Sequence, residues 1–140
     1  MSFDMIGPAL SLAFGAIGAS IGCSIAGMTS HAVMSRIEEG HGKFIGLSAI
    51  PASQLIYAFI LMLLLRNKIE AGVVTQLSAL FIGGGSGLAI GVAAVYQGMC
   101  CSTAIQATAK QPSVFGKTLV AIGVVESFAL FAMVFALLLM

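Results

Sequence analysis

Long apolar stretches alternate with short polar ones along this chain. Apart from one acid, four stretches carry no charged residue: residues 5–28, 44–65, 73–101 and 118–140. Each reaches the roughly 20 residues that a helix needs to cross the hydrocarbon core of a membrane. Strands of a transmembrane barrel would instead be about ten residues long, with alternating hydrophobicity. The pattern therefore predicts an all-α membrane protein with four transmembrane helices.

The composition supports the same class. Hydrophobic residues make up 59% of the 140 residues and charged residues only 8%, whereas soluble domains carry about 25% charged residues. The glycine run GGGSG at residues 83–87 lacks the Lys-Ser/Thr ending of a phosphate-binding loop and lies inside an apolar stretch. We expect no nucleotide site, no organic cofactor and no nucleic-acid partner.

The chain contains an internal repeat. The segment IPASQLIYAFILMLLL, which starts at Ile50, matches IGVVESFALFAMVFAL, which starts at Ile122, at an offset of 72. Three glycines of the first helix also recur in the third helix at an offset of 69: Gly15, Gly18 and Gly22 become Gly84, Gly87 and Gly91. We predict two duplicated hairpins that run in the same sense, over residues 1–68 and 69–140.

The glycines indicate how the helices pack. In the third helix, Gly83, Gly87 and Gly91 are spaced four residues apart, which places them on one face and allows close backbone approach. Because the Gly-rich face belongs to the first helix of each hairpin, these helices are predicted to form a tight inner ring. Phe14 occupies the place that corresponds to Gly83, so the first hairpin is expected to pack differently there.

The basic residues of the loops predict the orientation of the chain. The two hairpin loops hold four of them, Arg36, Lys43, Lys110 and Lys117. The central turn on the other side holds only Arg66 and Lys68. Since Lys and Arg are enriched in cytoplasmic loops, the hairpin loops are predicted to be cytoplasmic and the termini external.

The acid inside the fourth stretch is Glu126. No Lys, Arg or His accompanies it in the segment GVVESFALF. A carboxylate at the centre of a bilayer costs about 2.5 to 3.5 kcal/mol by insertion scales, and such acids mark ion or proton pathways. Its counterpart in the first hairpin is Gln54, so each duplicated chain keeps one ionisable group at this level.

Other polar residues are predicted to lie near this acid. Ser53, Gln54 and Tyr57 can share one sector of the second helix. Pro51, which has no N–H, leaves the carbonyl of Leu47 without its usual helical partner. Gln97 precedes Pro112 by fifteen residues and Glu126 follows it by fourteen, so the two side chains can face each other if the turn lies there. This set of oxygens suits a hard cation such as Na⁺, or a protonated Glu126 that donates a hydrogen bond.

Two other classes of protein could carry one membrane acid. A small four-helix cation or multidrug exchanger could use Glu126, but its substrate cavity would be expected to be lined by aromatic residues. The chain has no Trp, and aromatic residues total 8%. A purely structural membrane scaffold would leave the polar group around Glu126 without a role. A large ring of copies would indicate a rotor, and a dimer would indicate the exchanger.

The motifs IPASQLIYAFIL, YQG, AKQP and VVES are similar to those of the proteolipid subunit of prokaryotic V-type (A/V-type) rotary ATPases. That subunit is the duplicated four-helix relative of the hairpin subunit of ATP synthase. The resemblance implies a non-catalytic, multi-pass subunit in the cell membrane of a prokaryote, with ATP hydrolysed by other subunits. It implies a lipid-embedded rotor ring of identical chains, a stator membrane subunit with a basic residue, and central-stalk subunits at the cytoplasmic loops.

The resemblance also implies the roles of individual residues. Glu126 would be the ion-binding carboxylate and Tyr57 the group that holds this carboxylate closed. The further Na⁺ ligands would be Gln97, Ser53, Gln54 and the backbone carbonyl of Ile50. Sodium-binding members often have Thr in place of Ser53, and either hydroxyl supplies an oxygen. Because a proton alone would not require Gln54 and Gln97, Na⁺ is favoured as the transported ion, with H⁺ as the alternative.

Overall fold

The computed structural model describes residues 5–140 and consists of helices joined by short turns. Residues 1–4, which belong to the first predicted hairpin, lie outside the described part. The α-helices are α1 (Ile6–Met34), α2 (His41–Ala49), α3 (Ser53–Glu70), α4 (Gln76–Lys110) and α5 (Phe115–Leu138). Two short 3₁₀ helices, Ile50–Ala52 and Pro112–Val114, lead into α3 and α5. Over residues 5–140 no β-strand is present.

Four helical spans are long and apolar enough to cross a membrane. They are Ile6–Met34, His41–Glu70, Gln76–Lys110 and Pro112–Leu138, so the predicted all-α fold with four transmembrane helices is confirmed. At several ends the helices continue past the uncharged stretches, since each added residue of a formed helix gains one more backbone hydrogen bond. The predicted turn at Pro112 is also present, between α4 and α5.

Two glycines make the turns that precede α2 and α4. Gly40, next to the first residue of α2, has φ 81°, and Gly72, after α3, has φ 71°. These left-handed conformations are accessible to Gly at little cost because it has no Cβ. The Thr75 hydroxyl then caps α4 by accepting a hydrogen bond from the Ser78 N–H at 3.3 Å. The hairpins are thus joined by a tight turn at residues 71–75.

Helices α1 and α4 lie side by side in the same direction and make the closest contact in the chain. Gly18 of α1 faces Gly91 of α4, and Gly22 faces Gly98. A Cβ at Gly18 would overlap the backbone of Gly91, and one at Gly98 would overlap that of Gly22. Close backbone approach of the two Gly-rich helices is therefore confirmed within the chain, while their arrangement in a ring stays a prediction.

Helices α2, α3 and α5 pack against this pair. Two larger apolar clusters result, and a small third one, Leu65, Val74 and Ala79, lies beside the turn that joins the hairpins. The cluster nearest the hairpin loops contains Ala26, Phe44, Leu47, Cys101, Ala104, Ile105 and Ile122. The second cluster contains Ala58, Leu61, Ile90, Ala93, Ala129 and Ala136. A buried polar layer, built around Gln54 and Gln97, separates the two clusters.

Candidate ion-binding site

The second transmembrane span changes its helical geometry at Pro51. Pro51 has no N–H to donate, so the regular helix cannot continue through it unchanged. The chain forms the 3₁₀ turn Ile50–Ala52, in which the Ile50 carbonyl accepts the N–H of Ser53. Helix α3 begins at Ser53, so the polar side chains of its first turns follow the break directly.

The Glu126 carboxylate lies against this break and accepts hydrogen bonds from side chains of α3 and α4. The hydroxyls of Ser53 and Tyr57 each donate to its Oε1 at 2.8 Å. From α4, the Gln97 amide donates to its Oε2 at 3.4 Å. The carboxylate of the second hairpin is therefore held by two residues of the first hairpin and one of its own.

Two fully buried glutamines lie behind the carboxylate. Gln54 Nε2 donates to Gln97 Oε1 at 2.9 Å. Gln97 Nε2 also lies 3.4 Å from the carbonyl oxygen of Ile122. The Oε1 atom of Gln54 is buried and has no hydrogen-bond partner among the described residues. A buried acceptor without a hydrogen-bond partner has lost its contact with water, and no protein contact offsets that cost. A cation or a water molecule could supply the missing contact.

Within residues 5–140, no positively charged side chain compensates Glu126. The ion pair in this part of the chain joins Arg66 and Glu70, at 2.8 Å, at the opposite end of α3. An isolated carboxylate inside a membrane is costly unless it is paired or protonated. The donors around Glu126 are two hydroxyls and an amide, none of which brings a positive charge.

The carboxylate is reachable from the side of the bundle. A groove of about 420 Å³ runs along the end of α2, the 3₁₀ turn and the start of α3, and Glu126 of α5 forms part of its wall. The rest of the wall is Gly46, Ala49, Ile50, Ala52, Ser53 and Ile56. Most of these side chains are small, so Glu126 is only partly buried whereas both glutamines are fully buried.

The structure places all the sequence-predicted site residues at one level. Ser53, Gln54, Tyr57, Gln97 and Glu126 form one hydrogen-bonded group, and Ile50 lines the groove beside it. Their roles in ion binding stay a prediction.

The sequence-based prediction missed two features of the site. The Ile122 carbonyl contacts Gln97, and its only sequence signal is its position one turn before Glu126. The groove could have been anticipated from small residues at 46, 49 and 53, which share one helix face.

Comparisons with known proteins agree with this architecture. The profile of the family described as the C subunit of ATP synthase matches the chain twice, over residues 6–65 and 77–139. The A-type ATP synthase subunit K of Methanocaldococcus jannaschii is 28% identical over 135 residues, which cover 96% of this chain. The chain spans 60% of the length of that relative. Because the profile accounts for most of both hairpins, the chain belongs to the family of the ATP synthase C subunit.

Proposed function

We propose that this chain is a rotor-ring subunit of a V-type ATPase that carries Na⁺ across the membrane on Glu126. The observation that carries the proposal is the environment of that carboxylate, which neutral hydroxyl and amide groups surround and no cationic side chain of residues 5–140 compensates. Family membership favours a rotor over the exchanger alternative. The subunit K name of the relative favours the V-type (A/V-type) branch.

The surrounding oxygens support Na⁺ as the transported ion. Gln54 Oε1 has no hydrogen-bond partner among the described residues, and the Ile50 carbonyl, which accepts the Ser53 N–H, keeps a second lone pair. A half turn of both carboxamides would turn the Gln97 oxygen toward Glu126, while Gln54 Oε1 would accept a hydrogen bond from Gln97 Nε2 and keep a second lone pair. With the Ser53 hydroxyl, these groups would supply the hard oxygen ligands that Na⁺ prefers. A proton would need none of the glutamine oxygens.

The charge of Glu126 couples rotation to transport. An empty, anionic Glu126 facing lipid is costly, so the ring can turn through lipid only when each Glu126 carries Na⁺. Release then takes place at the stator, where a basic residue of the stator subunit pairs with the bare carboxylate. Each ion moved across 100 mV exchanges about 2.3 kcal/mol with the electrical gradient.

The duplication favours a pump. With one carboxylate for every four helices, a ring of given helix number moves half as many ions per turn as a ring of single hairpins. Each ATP hydrolysed by the other subunits can therefore work against a steeper gradient. In the proposed assembly, identical chains form the ring in a prokaryotic cell membrane, with external termini and cytoplasmic hairpin loops that contact the central stalk.

Carbodiimide labelling tests the identity of the ion. A hydrophobic carbodiimide modifies membrane carboxyls in their protonated form, so bound Na⁺ should protect Glu126. We expect Na⁺ to slow labelling at least tenfold at a fixed pH, measured by mass spectrometry of the peptide that contains Glu126. The exposed Glu70, labelled by a water-soluble carbodiimide, should show no response to Na⁺.

The counter-ion control replaces Na⁺ by choline at equal ionic strength. Labelling of Glu126 that depends on pH and is the same in Na⁺ and choline would overturn the Na⁺ assignment. Such a result would make the protein a proton rotor in which Ser53, Gln54 and Gln97 only support the carboxylate through hydrogen bonds.

Replacing Tyr57 with Phe tests how the carboxylate is held. The change removes the 2.8 Å hydrogen bond to Glu126 and leaves the aromatic ring in place. Hydrogen bonds to charged groups contribute about 1.5 to 3 kcal/mol, so Na⁺ should be retained about tenfold less tightly. The measurement is the Na⁺ concentration that half-protects Glu126 from labelling. Tyr96→Phe is the matched control, because the Tyr96 side chain is exposed (58% accessible). An equal increase in the half-protecting Na⁺ concentration in both variants would contradict a specific role for Tyr57.

A further inference from the structure

A lysine and an aromatic ring join the two hairpins at their loop ends. The Nζ atom of Lys43 lies over the ring of Phe115, 5.2 Å from the ring centroid. A cation at this distance is attracted to the face of an aromatic ring. Lys43 belongs to α2 and Phe115 is the first residue of α5. The contact therefore ties the outer helix of the second hairpin to the first hairpin.

Both partners of this contact are held in place by the backbone around them. Lys43 lies in the first turn of α2, and its N–H donates to the carbonyl of Gly40 at 3.0 Å. Phe115 directly follows the 3₁₀ helix Pro112–Val114. Its side chain packs against the apolar cluster nearest the hairpin loops. The cation and the ring are therefore presented from ordered turns, so their contact can fix the distance between α2 and α5.

Helix α5 connects this contact to the ion-binding carboxylate. Glu126 follows Phe115 by eleven residues in one continuous helix, which places the two about 16 Å apart along the axis. Phe115, Ile122 and Glu126 are spaced seven and four residues apart and share one helix face. The hydroxyls that hold Glu126, those of Ser53 and Tyr57, belong to α3. A displacement of α5 at Phe115 would therefore move the carboxylate relative to its donors.

The exposed side of α2 and α5 adds little packing between these two levels. Four exposed glycines lie there, Gly42 and Gly46 in α2 and Gly116 and Gly123 in α5. A Cβ built on any of them would have no atom of the described residues within 4 Å. On this side, α5 is thus held at its loop end by the contact with Lys43 and at the site by the hydrogen bonds of Glu126.

We propose that Lys43 is a positioning residue for the ion site, because its contact with Phe115 holds α5 where Glu126 meets the hydroxyls of Ser53 and Tyr57. The effect on Na⁺ binding rests on the proposed function, whereas the effect on the carboxylate does not depend on which ion is carried. Lys43 acts at a distance and does not touch the ion. Its positive charge alone would repel Na⁺, so removing it would strengthen Na⁺ binding if only electrostatics mattered. Positioning predicts the opposite sign.

Carbodiimide labelling of Glu126 in the purified protein, without Na⁺ and across a Na⁺ series, tests this role. In K43Q we expect labelling without Na⁺ to be about threefold faster, because a less firmly held carboxyl is easier to reach. The half-protecting Na⁺ concentration should rise about threefold. These values lie within the roughly two- to fivefold change that an exposed cation–π contact supports. F115L removes the ring, keeps an apolar side chain, and should match K43Q.

Three further variants separate positioning from charge and from general loosening. K43R should keep wild-type values, since Arg also binds aromatic faces. The double variant K43Q/F115L should change no more than either single variant, because both substitutions remove the same contact. K117Q removes an equal charge from the first turn of α5, where Lys117 is exposed, and should label like the wild type.

Several results would overturn the role of Lys43. They are wild-type labelling or tighter Na⁺ binding in K43Q, failure of K43R to keep wild-type values, additive changes in the double variant, or an equal change in K117Q. If Na⁺ protected Glu126 in none of the proteins, the wild type included, the proposed Na⁺ transport would fail. The labelling rates without Na⁺ would still decide whether Lys43 positions the carboxylate.

Discussion

Replacing Glu126 with Gln is expected to abolish the proposed Na⁺ transport while leaving the four helices and their packing in place. Gln has nearly the same size, so the contacts with Ser53, Tyr57 and Gln97 can persist in altered form. What is lost is the negative charge that a bound cation would pair with. Removing one partner of a buried ion pair costs about 3 to 5 kcal/mol, which corresponds to a loss of Na⁺ affinity of roughly 100-fold or more.

The measurement is ATP-driven ²²Na⁺ uptake by vesicles that contain the complete ATPase with the variant chain. Glu70→Gln is the matched control, because it makes the same chemical change at an exposed carboxylate whose pairing with Arg66 contributes little. We expect uptake near background for the Glu126 variant and near wild type for the Glu70 variant. Substantial uptake by the Glu126 variant would show that another group carries the ion.

The counterpart of Glu126 in the first hairpin already shows what the neutral side chain does. Gln54 lies at the repeat-related position, is fully buried, and is hydrogen-bonded to Gln97. Gln54 therefore supports Gln97, which in turn contacts Glu126, and it adds no charge to the site. In the proposed function, one of the two repeat-related positions carries the ion and the other supports it, and the Glu126→Gln variant would make both positions neutral.

Much of the fold could be predicted from the sequence because a membrane restricts the alternatives. Uncharged stretches of about 20 residues leave only a helix as the way to satisfy the backbone. The site was predictable for a related reason: polar residues are few in these stretches, and helical rise fixes their depth. Gln97 and Glu126, matched by their distances from Pro112, do meet in the structure.

The sequence did not predict the features that depend on how the helices are oriented relative to one another. The contact of Gln97 with the Ile122 carbonyl depends on how α4 and α5 rotate about their axes. The groove beside Glu126 depends on where α5 lies against the break between α2 and α3. Single residues do not encode these quantities, which arise from the packing of many side chains at once.

Helices α1 and α4 are in close contact at Gly18. Replacing Gly18 with Ala is therefore expected to weaken or prevent assembly of the protein. The added Cβ would overlap the carbonyl group of Gly91, which belongs to a helix backbone and cannot rotate aside. The two helices must therefore move apart, and overpacking of this kind costs about 1 to 3 kcal/mol or more. In a ring of identical chains the same strain is repeated in every copy.

Gly27→Ala is the matched control on the same helix, because nothing lies within 4 Å of a Cβ built there. Ala has a higher helix propensity than Gly by about 1 kcal/mol, so this variant should be as stable as the wild type or more so. Heating the purified ring in detergent and following its dissociation on a gel gives the midpoint temperature for each protein. We expect the Gly18 variant to dissociate at a clearly lower temperature, or not to assemble, while the Gly27 variant stays intact. Equal midpoints for the two would mean that the α1 and α4 backbones are not in contact in the assembled protein, since only contact distinguishes the two glycines.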